Sequence, residues 1–358
     1  MGNRTEEVVD ALRNWWEVKT SRPERLVLAI SGGADSVALL RGLLLLAQDH
    51  AWAEATEFPD SARWIVAHFN HQVRGIAADE DARWVEQLAK RHSLSFEVGT
   101  RVEIATPLIL DSEKVLSEGA LRDQRLAFLQ AAASRHGARH LLLAHHADDQ
   151  AETVLHHLLR GTSLAGLAGM RTSQEFAGRI LVERPLLGLR RETLRSFLSE
   201  LSQDWREDQT NSENDATRNL LRNRVLPLLK EAIVHMELER DPVESLLQLS
   251  RHSRDAQELI ETTARELLRI SRIEPSGDVA RYHVIHWQAQ LPVVSREAFR
   301  QIWIENNWPR QGLGEQHLMK LTMFLGPYER PLTGDFPGGV RVTRRREWFS
   351  IERRVDRL

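Results

Sequence analysis

Short apolar runs alternate with amphipathic stretches along the first part of the chain. Four runs have the length and composition of buried strands: Leu26–Ile30, Trp64–Ala67, Leu94–Val98 and His140–Ala144. Each is followed by a stretch with helical periodicity: residues 37–47, 79–92, 117–136 and a last one that ends at residue 160. Buried strands that alternate with helices are typical of a parallel sheet covered on both faces. The pattern therefore predicts an α/β fold with a doubly wound parallel sheet.

The pattern changes after about residue 212. Residues 219–270 are predicted to be mostly helical, with breaks at Pro227 and at Asp241-Pro242. Further along we expect a strand and a helix over 276–310, a helix over 313–325, and a turn at Phe336–Gly339 between two short strands. We therefore expect a first domain over residues 1–212 and a C-terminal region over 213–358. This region divides into a helical part, 213–275, and a small α+β element, 276–358.

Composition excludes several kinds of chemistry. The 358 residues carry a net charge of −3 and include no cysteine. A disulfide framework, a thiolate zinc site, an iron–sulfur cluster and a cysteine nucleophile are thereby excluded. The first residues, Met1–Thr20, mix charged and apolar side chains and lack the apolar core of a secretory signal. No apolar run is long enough to span a bilayer, so we expect a cytoplasmic protein without a membrane partner.

A glycine-rich turn follows the first predicted strand. Its sequence is Ser31-Gly-Gly-Ala-Asp-Ser36, and a helical stretch comes directly after it. A turn of this kind presents backbone N–H groups and the positive end of a helix to an anion. It is neither a Walker A loop, which needs a lysine, nor a G-x-G-x-x-G turn. A Gly-Gly turn can also be purely structural, but the complete hexapeptide favours a phosphate site.

This hexapeptide resembles the pyrophosphate loop of the PP-loop ATP pyrophosphatase superfamily, and later blocks resemble the tRNA(Ile)-lysidine synthetases within it. Those blocks are His68-Phe-Asn-His71-Gln-Val-Arg74, Leu121-Arg122-Asp-Gln-Arg125-Leu126, the run Ala144–Thr153, the run Leu159–Met170, Arg184-Pro-Leu-Leu187, Trp205–Asn211 and Arg218-Asn-Leu-Leu-Arg222. The likeness holds in order and spacing from residue 26 to about residue 230. Leu121, Leu126 and Thr162-Ser163 depart from the family pattern but remove no charged group.

The resemblance implies a two-step reaction on a tRNA base. The 2-carbonyl oxygen of the wobble cytidine attacks the α-phosphate of ATP, and the ε-amine of L-lysine then displaces AMP. It implies a PP-loop catalytic domain, a C-terminal tRNA-recognition region, ATP with Mg²⁺, and tRNA(Ile) with a CAU anticodon as partner. It leaves a homodimer open. The alternatives are another PP-loop tRNA-modifying enzyme and a non-catalytic, nucleotide-dependent RNA-binding module. A thiolase that delivers sulfur through its own cysteines does not fit a chain without cysteine.

The resemblance also implies roles for individual residues. The expected catalytic residues are Asp35, Arg122, His145, Asp149 and Glu152. The expected ATP-binding residues are Ser31, Gly32, Gly33, Ala34, Asp35, Ser36 and His68. Asp35 and Asp149 are the candidate ligands for Mg²⁺, since that ion prefers hard oxygen donors. The expected tRNA-binding residues are Arg74, Arg125, Arg190, Arg191, Arg195, Arg218, Asn219, Arg222 and Arg224.

Several of these residues have other readings. Asp35 is also placed to cap a helix, and Arg122 and Arg125 also fit a solvated helix face. Glu152 is a candidate to bind or deprotonate the lysine amine, or to position a basic residue. The segment 341–358, with seven arginines against three acids, is a further candidate for RNA contact.

Overall fold

The chain forms two compact units, Met1–Ser250 and Arg251–Leu358, in a computed structural model. The structure describes residues 2–19, 22–71, 76–100, 118–176, 179–207, 216–276, 279–309, 312–326 and 332–353. Unit 1 contains the glycine-rich turn and all the blocks that resemble the tRNA(Ile)-lysidine synthetases. The expected division into a catalytic domain over residues 1–212 and a tRNA-recognition region over 213–358 stays a prediction.

Unit 1 is built on a six-stranded sheet. Its strands are β1 (Leu26–Ala29), β2 (Trp64–Asn70), β3 (Ser95–Thr100), β4 (His140–Leu142), β5 (Ser173–Phe176) and β6 (Ile180–Glu183). They lie in the order β3-β2-β1-β4-β6-β5, and every neighbouring pair is parallel except β5 with β6. The four predicted strands are confirmed. The β5–β6 hairpin was not predicted, because β5 is polar and largely exposed and therefore shows no apolar run.

Helices cover both faces of this sheet. Those of unit 1 are α1 (Asn3–Glu17), α2 (Ala34–Gln48), α3 (His50–Ala55), α4 (Ile76–Arg91), α5 (Glu118–Arg135), α6 (Ala147–Leu159), α7 (Leu164–Leu167), α8 (Arg191–Glu200), α9 (Ala216–Leu220) and α10 (Leu226–His235). Alternate residues of β1 enter different cores. Leu26 and Leu28 pack into one apolar cluster and Val27 into another. Both faces of β1 are therefore buried, as in a doubly wound sheet, and the predicted fold class is confirmed.

The helical segment from Ala216 to His235 continues through Pro227. A π-helical turn, Leu221–Val225, joins α9 to α10, and its wider spacing lets Leu226 N–H donate to the carbonyl of Leu221. Pro227 is the second residue of α10, directly after the π-helical turn, and the helix runs on to His235. The break expected at Pro227 is therefore wrong. The expected break at Asp241-Pro242 is confirmed, since helix α11 (Pro242–Ser271) begins there.

Unit 2 has its own antiparallel sheet. Its strands are β7 (Arg272–Ser276), β8 (Val279–His283), β9 (Leu332–Phe336), β10 (Val340–Arg344) and β11 (Trp348–Arg353), in the order β7-β8-β11-β10-β9. Helices α12 (Val284–Gln288), α13 (Pro292–Glu305) and α14 (Glu315–Met323) accompany it. The predicted turn after Phe336 joins β9 to β10, which confirms the small α+β element. None of the helices in the described ranges is long and apolar enough to cross a membrane.

Candidate functional site

The glycine turn, Ser31–Ser36, connects β1 to α2 and is organised by its two serines. Ser36 Oγ accepts the N–H of Ser31 at 3.2 Å and donates to the carbonyl of Gly33 at 2.9 Å. Ser31 Oγ accepts the N–H of Gly33 at 3.3 Å. The first N–H groups of α2 have no partner within the helix and point out of its N-terminus. The turn therefore presents donors to an anion beyond the end of β1.

The two glycines have different reasons to be there. Gly32 has a φ of +94°, and a Cβ at this position would lie 3.2 Å from Val85 Cγ2. Its carbonyl accepts the N–H of Arg206 at 2.9 Å, so the unusual conformation is held from outside the turn. Gly33 has an ordinary φ of −69°, and a Cβ there would meet only Ser31 Oγ, at 3.5 Å. Gly32 is required by the backbone, whereas Gly33 leaves open space next to the helix end.

His146 joins the glycine turn to the end of β4. Its Nε2 lies 3.5 Å from Asp35 Oδ2 and 3.5 Å from Asp149 Oδ2. It also caps α6 reciprocally with Asp149, because Nδ1 accepts the N–H of Asp149 and Asp149 Oδ2 accepts the N–H of His146. Burial lowers the pKa of His146, but the charges of Asp149 and Asp35 outweigh burial and raise it. His146 therefore holds two carboxylates together.

Asp35 is the acidic residue of the turn. Burial acts to raise the pKa of its carboxyl, but the hydrogen bond with His146 and the charges of Arg191 and Arg195 outweigh this and lower it. Asp35 Oδ1 is shielded from solvent and has no hydrogen-bond partner among the described residues. An ionised oxygen left in this state is suited to a cation brought in with a ligand.

His145 is neutral and held by an arginine. Arg184 Nε donates to His145 Nδ1 at 3.2 Å, which places the ring proton on Nε2. Burial lowers the pKa of His145 well below its usual value, and the charges of Arg184, Arg125 and Arg122 lower it further. Arg184 also donates from Nη1 to the carbonyl of Arg171 at 2.8 Å. His145 is thus a fixed neutral donor at the end of β4.

Three arginines act on His145, namely Arg122, Arg125 and Arg184, and a fourth, Arg218, acts on Arg125. We call these four residues the arginine cluster. Burial, with the charges of Arg122 and Arg218, lowers the pKa of Arg125. Burial and the charge of Arg122 lower the pKa of Arg184 to about 10, so that Arg184 stays charged at neutral pH. Like charges brought together at this cost are characteristic of a site for a polyanion.

Glu152 is buried and paired with Arg222. Arg222 Nε donates to Glu152 Oε1 at 2.6 Å and Arg222 Nη2 to Oε2 at 3.1 Å, while Nη2 also lies 3.5 Å from Asp149 Oδ1. Glu152 comes from α6 and Arg222 from the π-helical turn, and the two segments share an apolar cluster that includes Leu155 and Leu221. Burial raises the pKa of Glu152 despite the hydrogen bond from Arg222. These contacts correspond to the option in which Glu152 positions a basic residue.

Two histidines line the end of β2. His68 is buried, and its Nδ1 donates to the carbonyl of Ile30, 2.9 Å away. Burial lowers the pKa of His68. Burial together with the charge of Arg125 lowers the pKa of His71 to about 4. Both rings are therefore neutral at physiological pH and lie next to the glycine turn and the arginine cluster.

Asp148 ties the start of α6 to the start of α8. Arg190 donates to Asp148 Oδ1 from Nε at 3.2 Å and from Nη2 at 3.1 Å, and Arg191 N–H donates to Oδ2 at 2.8 Å. Arg190 also lies 3.3 Å from Asp241. Arg191 and Arg195 lie close enough to influence Asp35 electrostatically. The N-terminal part of α8 therefore belongs to the same site.

The structure brings most of the predicted residues to one edge of the sheet, whereas Arg224 is exposed on the π-helical turn. Arg74 lies outside the described residues, as do residues 208–211 of the Trp205–Asn211 block. Sequence reasoning did not assign Arg184, His146 or Asp148 to the site. Arg184 directly follows β6, so recognition of that short strand would have placed it at the same sheet edge.

Comparisons with known proteins agree with this geometry. The sequence model of the PP-loop domain matches residues 5–229. A tRNA(Ile)-lysidine synthase of Rhodopirellula baltica is 33% identical over 344 residues, which cover 87% of this chain and 82% of that protein. Enzymes of the same name from Geobacter sulfurreducens and Bacillus subtilis are 40% and 36% identical, over 58% and 59% of this chain. The chain spans only 40% and 42% of the length of those two relatives.

A solved structure shares the fold. The U34-tRNA thiolase of Methanococcus maripaludis superposes with a TM-score of 0.54 over 70% of this chain and 80% of that one, at 14% identity. This likeness supports the architecture alone. Family assignment depends on the sequence matches, and by these the chain belongs to the PP-loop family and, within it, to the tRNA(Ile)-lysidine synthases.

Proposed function

We propose that this chain is a ligase that joins L-lysine to C2 of cytidine 34 in isoleucine tRNA with a CAU anticodon. As a PP-loop domain it binds ATP, and ATP is converted to AMP and pyrophosphate. The observation that carries the proposal is the assembly of the glycine turn, His145, the carboxylates of Asp35 and Asp149, and the arginine cluster at one sheet edge. The names of the relatives point to the same reaction.

In the first step the 2-carbonyl oxygen of the cytidine bonds to the α-phosphorus of ATP. The bond from that phosphorus to the α,β-bridging oxygen breaks, and its electron pair leaves with pyrophosphate. The N–H groups of the glycine turn hold the leaving phosphates, and His145 donates from Nε2 to the α-phosphate. Because His145 is neutral, it offers a hydrogen bond to the phosphate without giving up a proton.

The carboxylates of the site fit Mg²⁺ that arrives with ATP. Within the described ranges, no group of three or more His, Cys, Asp or Glu side chains could hold a metal ion. Asp35 has an oxygen without a partner, and both Asp35 and Asp149 lie 3.5 Å from His146 Nε2. One or two carboxylates completed by substrate phosphates are the usual surroundings of this ion. When bound, Mg²⁺ would neutralise part of the phosphate charge.

In the second step the ε-amine of lysine attacks C2 of the adenylated base. The C2–O bond breaks, and the former carbonyl oxygen leaves as part of AMP. The amine loses its protons to solvent or to a carboxylate of the site. The arginine cluster stabilises the negative charge of the departing AMP and of the RNA backbone beside it.

The cytidine must leave the stack of its loop to reach ATP. Arg218, Asn219 and Arg222 lie on or beside the π-helical turn at the edge of the site. Asn219 Nδ2 is shielded from solvent and has no partner in the described part of the chain. We propose that these residues, with Arg224, hold the anticodon loop, and that unit 2 contacts the rest of the tRNA.

Mass spectrometry of nucleosides from reacted tRNA tests the proposal directly. Incubation with ATP, Mg²⁺ and lysine should convert the wobble cytidine to lysidine, and AMP release should require lysine. Methionine tRNA with the same anticodon serves as the substrate control. Asp149→Asn should lower adenylation by about 100-fold or more, because the amide keeps the cap but loses the charge, while tRNA binding stays within a few-fold. Lysine-independent AMP release, or equal reaction of the methionine tRNA, would contradict the proposal.

A further inference from the structure

A cleft opens beside the glycine turn and is not used by the mechanism above. Its volume is about 630 Å³, and the residues important here are Asp148, Arg190, Arg191, Arg195 and Glu200. We call it the arginine cleft. Asp148 lies 3.6 Å from His146 Nδ1, and the Nε2 of the same ring lies 3.5 Å from Asp35. The arginine cleft is therefore next to the turn that receives the phosphates.

Three acids line the arginine cleft, Asp148, Glu192 and Glu200, and two of them already accept hydrogen bonds from other parts of the protein. Asp148 accepts hydrogen bonds from the Arg190 side chain and from the N–H of Arg191. Glu200 accepts the N–H of Thr5 at 3.0 Å and the hydroxyl of Thr5 at 2.7 Å. These carboxylates are thus committed to structural contacts and are poorly placed to neutralise a second arginine.

Arg191 and Arg195 retain unused donors. Among the described residues, the side chain of Arg191 makes no hydrogen bond or ion pair, and the Nε atoms of both arginines are shielded from solvent without a partner. Arg195 reaches Glu207 only through Nη2, at 3.4 Å, and Glu207 is exposed. Buried donors without partners are rare in proteins and indicate a ligand. A guanidinium is suited to bidentate contact with phosphate.

We propose that Arg191 and Arg195 bind the β- and γ-phosphates of ATP and hold pyrophosphate after the α-phosphorus bond breaks. This inference rests on the proposed function and replaces the tRNA contact expected for these two residues from the sequence. The arginines act on the leaving group, because charge builds up on the bridging oxygen as its bond to the α-phosphorus breaks. They are positioned by Asp148, which fixes the first turn of α8 through the N–H of Arg191.

Calorimetric titration with inorganic pyrophosphate and MgCl₂ tests this on the full chain, without tRNA or lysine. Arg191→Gln and Arg195→Gln should each weaken pyrophosphate binding by about tenfold. The double variant should weaken it further, and Arg191→Lys should recover part of the loss. Arg63→Gln is the matched control, because Arg63 is exposed at the amino end of β2 on the opposite edge of the sheet. Its affinity should equal that of the wild type.

Steady-state kinetics separate this inference from the proposed function. Arg191→Gln and Arg195→Gln should each raise the KM for ATP and the concentration of pyrophosphate needed to inhibit the reaction. The KM for lysine and the affinity for tRNA should stay within about twofold of the wild-type values. Unchanged pyrophosphate binding would overturn the inference even if lysidine forms. A selective rise in the lysine KM, or a selective loss of tRNA affinity, would likewise overturn it. Absence of lysidine with pyrophosphate binding that still depends on the arginines would instead contradict the proposed function.

Discussion

At the scale of single residues, two adjacent histidines after β4 have opposite electrostatic environments. Arginines surround His145, and together with burial they lower its pKa. Carboxylates surround His146, and they outweigh burial and raise its pKa. A strand end followed by a helix cap sends the two rings to different sides, so that one faces the arginine cluster and the other faces Asp35. Neighbouring residues of the same type thereby acquire different roles.

The pair of Glu152 and Arg222 leads to a prediction about stability. Glu152 is 2% exposed, and Arg222 is its hydrogen-bonded cation. Arg222→Met should lower the free energy of unfolding by about 3 kcal/mol, because a buried carboxylate is left without its partner. Glu152→Gln combined with Arg222→Met should recover much of this loss, since no uncompensated charge remains. Urea unfolding measures both. Equal losses in the single and double variants would contradict a structural ion pair.

At the scale of elements, the site depends on how helices begin and on how one helix is interrupted. The glycine turn starts α2, a reciprocal cap starts α6, and the π-helical turn widens the helix that contributes Arg222. π-Helical turns are frequent at functional sites because they redirect side chains without ending a helix. Here the turn directs Arg222 toward Glu152, and the helix continues through Pro227.

The glycine turn gives a matched pair of variants. Gly32→Ala should destabilise unit 1 by about 1–3 kcal/mol, because its φ of +94° is strained for alanine. Gly33→Ala should leave the free energy of unfolding within about 0.5 kcal/mol, because φ is ordinary and the nearest atom is 3.5 Å away. Gly33→Ala should nevertheless weaken ATP binding, since its methyl group enters the space beside the helix end. Urea unfolding and ATP titration distinguish the two, and equal destabilisation would contradict this account.

At the scale of the whole molecule, the net charge of −3 conceals a strongly charged site. Arginines from α5, from the residue after β6, from α8 and from the π-helical turn meet at one edge of the sheet with carboxylates from α2 and α6. Burial, together with the charges of nearby arginines, disfavours protonation of His68, His71 and His145, whereas the carboxylates around His146 favour its protonation. Unit 1 therefore keeps several rings neutral that would become charged in an unfolded chain.

This arrangement predicts that acid destabilises the protein. The pKa values of His68, His92 and His145 are lowered, and that of His71 is about 4. Below pH 6.5 the unfolded chain binds protons at these positions and the folded chain does not, so the free energy of unfolding falls as pH falls. His146 acts in the opposite direction, because its raised pKa stabilises the fold below pH 6.5 and this is lost as pH rises through that pKa.

Urea unfolding at pH 7 and pH 5 measures the net effect. We expect lower stability at pH 5, with at most about 2 kcal/mol from His71 alone. His71→Gln, which does not titrate, should show a smaller loss between the two pH values than the wild type. Parallel pH profiles for the two proteins would contradict the assignment of this effect to His71.

Local sequence determined the first sheet and the location of the site. The apolar runs that became β1 to β4 are long enough to show their pattern, and the polar clusters after β1, β2 and β4 lie next to buried strands. Parallel strands bring their carboxyl ends to one edge, so these clusters could be expected to meet. The family likeness of the ordered blocks could also be recognised from the sequence, because it needs only residue types and spacing.

Tertiary structure alone decided the partners within that site. Arg184 and His145 are 39 residues apart, and Arg222 and Glu152 are 70 apart, so neither pair follows from any local period. The same holds for the arginine cleft, which depends on where α8 docks beside the glycine turn. The pattern of apolar and polar residues indicates which face of a helix or strand is buried. Which charged groups then meet depends on the packing of distant elements, because burial forces each charge to find a partner.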